Sequence, residues 1–277
     1  MPDLSALPSF GRPPVGEVVL ALQFQQLDQF DLRHVGALVE RFGGKYPNFQ
    51  TQAPLSPVVE RFDGPRAVQP ISIEMMEPPH FSRIWLGDAS GNELVQIQRD
   101  RLMHNWRHTA IGSEYPRYPR LRKEFASDWA VMDSFLRDHR LGELLPTQCE
   151  VVYVNLIEAD GGLLHADPSR YFSFFAPAVH AQGLSEFEAV SFSMTSVAKS
   201  ATDQGAHIGR LFVEVSSGVN PATRLPTYQF SLTLRGAPPT RDLEGVLSFF
   251  DFARTRIVCA FAELTTPQMH EIWEKQV

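Results

Sequence analysis

Two long stretches carry apolar residues at helical spacing, and each follows shorter stretches with strand-like patterning. That order constrains the chain more than any other feature. The first stretch, from about Pro119 to His139, sets Leu121, Phe125, Trp129, Met132, Phe135 and Leu136 on one stripe with proline at its opening position. The second, from about Asp242 to Glu263, does the same with Leu243, Val246, Leu247, Phe250, Ala253, Ile257, Val258 and Phe261. A helix with one apolar stripe must bury it, and the surface that each half offers is a set of antiparallel strands. The predicted fold class is therefore α+β, with two lobes, each a mainly antiparallel sheet covered by a long amphipathic helix.

In the first half, Glu17–Phe24 is short and β-rich and reads as a buried strand. From Asp31, the apolar residues Leu32, Val35, Leu38, Val39 and Phe42 recur at helical spacing, and Gly43-Gly44 is placed to end that helix. Pro54 to Pro79 is interrupted by prolines that deny donors to a central sheet, so it is expected to wrap the surface, with one strand allowed over Ala67–Met75. Arg83–Leu86 and Glu93–Gln98 flank a turn at Asp88–Asn92 whose Gly and Asn suit a hairpin. Gln148–Ile157 alternates as a further strand.

In the second half, strands are expected near Phe187–Val197, Gly209–Val215 and Thr227–Leu234. A short last helix begins at Thr265, where Thr-x-x-Gln enclosing Pro267 is a capping-box pattern. The boundary between lobes is placed between 168 and 169, where Pro, Gly and Ser begin to gather. The shared strands-then-helix order suggests duplication of one unit, although no residue-level repeat accompanies it.

The chain is ordinary in bulk: 277 residues, 43% hydrophobic and 21% charged, with enough length to bury a core without staples. Cys149 and Cys259 sit in strand-like and helix-like stretches and form neither a disulfide framework nor a zinc spacing. No segment has the pattern of a signal peptide or a membrane span, so the expected location is cytoplasmic, with no membrane partner.

Charge is distributed unevenly. Gln98 to Lys123 holds seven cations against two acids, a local +5, so the remainder carries −12 of a formal total of −7. Within it, Arg99, Arg101, Asn105, Trp106, Arg107 and, at the start of the next helix, Arg120 are the candidate binding residues. Guanidinium, indole and amide groups together can pair with carboxylate or phosphate and stack on a base. If residues 98–107 were one strand, Arg99, Arg101, Met103, Asn105 and Arg107 would share a face. A protein partner is the expected ligand of that face, with nucleic acid or a phosphorylated ligand as the alternative.

Catalytic signals are sparse. Nucleophile elbows, Walker loops, dinucleotide-binding glycines and His-Glu-x-x-His are absent, so no cofactor is expected and the reading leans away from an enzyme. The one metal-like pattern is His165-x-Asp167, which could supply two members of a facial triad with a later His207 as the third.

Taken together, Gln96-x-Gln98-x-Asp100-Arg101, Asn105-Trp106-Arg107, Tyr-Pro before a helix, Glu150-Val-Val-Tyr153-Val-Asn155 and the ending Phe261-x-Glu263-Leu-Thr265…His270…Trp273 carry a resemblance. The chain resembles a sporadically distributed prokaryotic family of uncharacterised proteins over about Val18 to Trp273. The resemblance implies no activity, cofactor or catalytic residue. A patchy distribution is common among accessory genes of conflict, such as toxin–antitoxin and phage-defence loci, whereas the reading of a non-catalytic interaction or regulatory component comes from the localised charge without a catalytic constellation.

Overall fold

The computed structural model describes residues 7–62, 82–109, 113–158, 168–175, 189–200, 205–220 and 223–276. They form one antiparallel sheet of nine strands covered on one face by helices. The strands are β1 (Val15–Phe24), β2 (Asn48–Gln52), β3 (Arg83–Gly87), β4 (Glu93–Gln98), β5 (Arg101–Arg107), β6 (Pro146–Glu158), β7 (Ser191–Lys199), β8 (His207–Val219) and β9 (Pro226–Gly236). The α-helices are α1 (Leu32–Phe42), α2 (Tyr118–His139), α3 (Leu243–Leu264) and α4 (Pro267–Ile272). The expected α+β class and the long helices are present. Ala67–Met75 and the His165/Asp167 loop lie outside the described residues.

The sheet order is β2-β3-β4-β5-β1-β6-β9-β8-β7. Strands from both halves join edge to edge, with β6 pairing β9 from Cys149 opposite Gly236 to Glu158 opposite Thr227. The predicted division into two lobes is therefore not marked by any break in the sheet. Outward from the central β1–β6 pair, the order is β5-β4-β3 with β2 at the edge on one side and β9-β8-β7 on the other. Each side is a meander followed in the chain by its covering helix, α2 or α3. The repeated unit suggested by the sequence is thus a feature of topology.

Alternation sorts the faces. Val18, Leu20 and Leu22 of β1, Leu102 of β5, Val151 of β6 and Phe230, Leu232 and Leu234 of β9 belong to one core with Leu121, Phe125 and Met132 of α2 and Phe250, Ala253 and Ile257 of α3. Phe125 and Phe250 meet edge to face at 4.9 Å where the two long helices touch.

Local signals explain most boundaries. Asp31 caps α1 by accepting the Arg33 N–H at 2.9 Å, and Gly43 closes it with a φ of 63°. Thr265 does not cap α4. Its hydroxyl donates to the Phe261 carbonyl at 2.7 Å and so finishes α3, while Thr266 accepts the Met269 N–H and caps the last helix. Residues 98–107 are not one strand: Arg99-Asp100 is a two-residue turn, and Gln98 pairs with Arg101. That turn puts Gln98 on the face of Arg101 and removes Arg99 from the strand.

After β2, residues 53–62 run as an extended strap across the helix-free face. Gln98 binds both backbone groups of Leu55, at 2.9 and 2.8 Å. Gln23 accepts the Val58 N–H, and Gln148 accepts from Glu60 while donating to the Val58 carbonyl. Farther along, Glu60 pairs with Arg210 and Arg235, and the Arg210 guanidinium lies 4.3 Å from the Phe62 ring centroid. The expectation that this proline-rich segment wraps the sheet is met over the residues described.

Candidate binding site on the helix-free face

The sequence-nominated residues separate on folding. Arg101, Asn105 and Arg107 alternate onto the helix-free face of β5, while Trp106 is buried on the helix face, 5.4 Å from the Tyr115 ring. Arg120 pairs with Glu93 on that same helix side. Arg99 donates to the Phe30 carbonyl at 2.7 Å from the β4–β5 turn, and Arg101 bonds Gln23 and the Ser56 carbonyl of the strap. The basic strand and the basic helix start consequently do not build one surface.

Beside Asn105 and Arg107, the register brings in residues that sequence spacing does not connect. Trp85 of β3 pairs with Gln96 of β4, which pairs with Met103 of β5. A chain of hydrogen bonds crosses these strands: Arg83 Nη1 donates to Gln96 Oε1 at 2.9 Å, Gln96 Nε2 to Asn105 Oδ1 at 2.8 Å, and Asn105 Nδ2 to Glu17 Oε1 at 2.8 Å. The terminal carboxylate fixes the direction of every donor in the chain. Above it, the Arg83 and Arg107 guanidinium carbons lie 5.4 and 5.6 Å from the Trp85 ring centroid.

Three N–H groups at this cluster, Arg83 Nε, Trp85 Nε1 and Arg107 Nε, are buried and have no hydrogen-bond partner among the described residues. Such donors are costly when left without an acceptor, on the order of 1–3 kcal/mol each and more for charged groups. Burial, followed by the charge of Arg101, lowers the Arg83 pKa from its ordinary value. Glu17 stands opposite Arg107 in register but takes Asn105 instead, and no ion pair to Arg83 or Arg107 is formed among the described residues. The arrangement is an aromatic platform flanked by two half-buried cations, suited to a planar or tetrahedral anion.

No family model, curated protein or solved structure matches the chain. The functional reading therefore rests on this geometry.

A second polar cluster lies on the helix side. His104 of β5 and Asp128 of α2 are 2.7 Å apart and almost fully buried, and Asp128 also accepts from the Tyr46 hydroxyl at 3.2 Å. Lys45 reaches the same carboxylate at 3.5 Å and Glu124 at 2.6 Å. Burial draws the Lys45 pKa down, but bonding to Glu124 and the charge of Asp128 outweigh it and leave it raised. Burial and Asp128 both raise the Tyr46 pKa. A His–Asp pair can orient a general base, yet His104 Nε2 is buried and has no hydrogen-bond partner among the described residues. The cluster ties α2 and the turn after α1 to the sheet. The available sequence signal was a polar residue at a core-facing position on each element.

No group of three or more His, Cys, Asp or Glu side chains able to hold a metal occurs among the described residues. Burial pushes the Cys149 thiol well up from its ordinary pKa, leaving it protonated and inert. Among the described residues, no helix is long and apolar enough to cross a membrane.

Proposed function

We propose that this chain is a non-catalytic interaction protein that receives an acidic group of a protein partner at Arg83, Trp85 and Arg107 on the helix-free face. The observation that carries the reading is the set of three buried N–H donors gathered at one indole without an acceptor. Arg83 and Arg107 are themselves half-buried, and a carboxylate on the helix-free face can pair with the accessible parts of their guanidinium groups. The resemblance to a patchily distributed prokaryotic family favours a partner from an accessory conflict or defence locus.

A second reading assigns the same cluster to a nucleic acid or phosphorylated ligand. It is favoured by the arginines flanking Trp85, since an indole between cations stacks a base while the cations meet phosphate.

Fluorescence anisotropy with a glutamate-rich peptide and a single-stranded oligonucleotide separates the two. Under the first reading the peptide binds, the oligonucleotide does not, and Arg83→Gln with Arg107→Gln weakens the peptide at least about tenfold while circular dichroism stays unchanged. Oligonucleotide binding with a steep salt dependence, and no peptide binding, supports the second. Failure of both probes, or indifference to the double substitution, removes the site.

A further inference from the structure

On the helix side, away from Arg83 and Arg107, a cleft opens between β6, α3, the loop before α2 and the segment leading into β1. It is a small cleft, about 100 Å³ inside and open to solvent on one side. Ile257, Val258 and Phe261 of α3 form an apolar wall, and Tyr115, Tyr153 and Arg254 supply polar groups. No carboxylate lines it among the described residues.

The donors do not balance. Tyr115 and Tyr153 hydroxyls are 3.1 Å apart, and two hydroxyls sharing one hydrogen bond leave one O–H over. Either hydroxyl can be the donor of that bond, so the spare hydrogen belongs to the Tyr115–Tyr153 pair. No acceptor for it is recorded among the described residues. Arg254 lies 5.2 Å from the Tyr118 ring centroid and forms no ion pair among the described residues, which leaves most of its five N–H groups for a ligand. The Arg117 guanidinium is committed to the carbonyls of Phe10 and Gly11, at 2.8 and 2.9 Å, and adds charge without free geometry. The site therefore offers positive charge and surplus donors beside an apolar wall.

We propose that this cleft binds a small monocarboxylate with an apolar body. The carboxylate takes paired N–H bonds from Arg254 and the spare hydroxyl hydrogen of the Tyr115–Tyr153 pair, and the body lies against Ile257, Val258 and Phe261. Planar pairing with a guanidinium favours carboxylate, and the wall excludes a fully hydrated ion.

Isothermal titration of the intact chain with benzoate, phenylacetate and hexanoate tests this, with benzamide as the uncharged counterpart and inorganic phosphate as a compact anion. The expected result is saturable one-site binding of at least one carboxylate, with benzamide and phosphate weaker by about tenfold or more. Arg254→Gln should weaken that binding by a similar factor and Tyr153→Phe by a smaller one, with circular dichroism unchanged. If Arg254→Gln does not fold, Arg254→Lys keeps the charge but loses the paired geometry, and is expected to bind more weakly than the native chain. Arg107→Gln, at the other site, should bind as the native chain does. The proposal is overturned if no carboxylate binds saturably, if benzamide or phosphate binds as well, or if the folded Arg254 and Tyr153 variants retain native affinity.

Discussion

At the scale of single residues, Asp128 organises more of the structure than any position the sequence brings forward. One buried carboxylate accepts from Tyr46, contacts His104 and receives the charge of Lys45, joining three elements. Asp128→Ala leaves His104 and Tyr46 buried without their partner, while Lys45 keeps Glu124. The expected cost is roughly 3–5 kcal/mol, measured as a loss of unfolding free energy in urea. A cost under about 1 kcal/mol would show that the cluster is not needed to seat α2. Its signal in the sequence was its place on the apolar stripe of α2, between Phe125 and Met132, but its partners Tyr46 and His104 come together only when the helix docks. Arg107, by contrast, was visible from charge and composition. Its partners Arg83 and Trp85 were not, since only the β3-β4-β5 register brings them together.

Among elements, the strap at 53–62 shows how side chains can take the place of a strand partner. Its backbone groups are met by the amides of Gln23, Gln98 and Gln148, which project from three different strands. Those glutamines are polar residues in strands, each positioned by the sheet to read a chain crossing over it. Amide hydrogen exchange at Leu55, Val58 and Glu60 should be protected in the native chain. Gln148→Ala should expose Glu60 selectively, whereas equal protection in that variant would mean the strap is held elsewhere. β2, the strand that leads into the strap, gave no sequence signal: Asn48–Gln52 is polar, sits at the sheet edge and is exposed along nearly all its length. Edge strands need no apolar alternation because little of them is buried.

For the whole molecule, the decisive feature is the continuous ladder from β6 to β9. Separately expressed residues 1–168 would present β6 as an unpaired edge, and residues 169–277 would present β9 as one. Both halves are therefore expected to be insoluble alone and soluble when co-expressed, as read by size-exclusion chromatography. Monomeric, folded halves would restore the two-lobe division. By itself, the sequence determined the periods: where the long helices lie, most of the buried strands, and which faces of the long helices are buried. Those depend on neighbours within a few residues, where spacing alone sorts the side chains. Tertiary structure alone decided that one sheet unites both halves and that Arg83 and Trp85 join Arg107. It also decided that a cleft forms around Tyr153 and Arg254. Each depends on strand register or helix docking, set by burial summed over the whole core rather than by any local pattern.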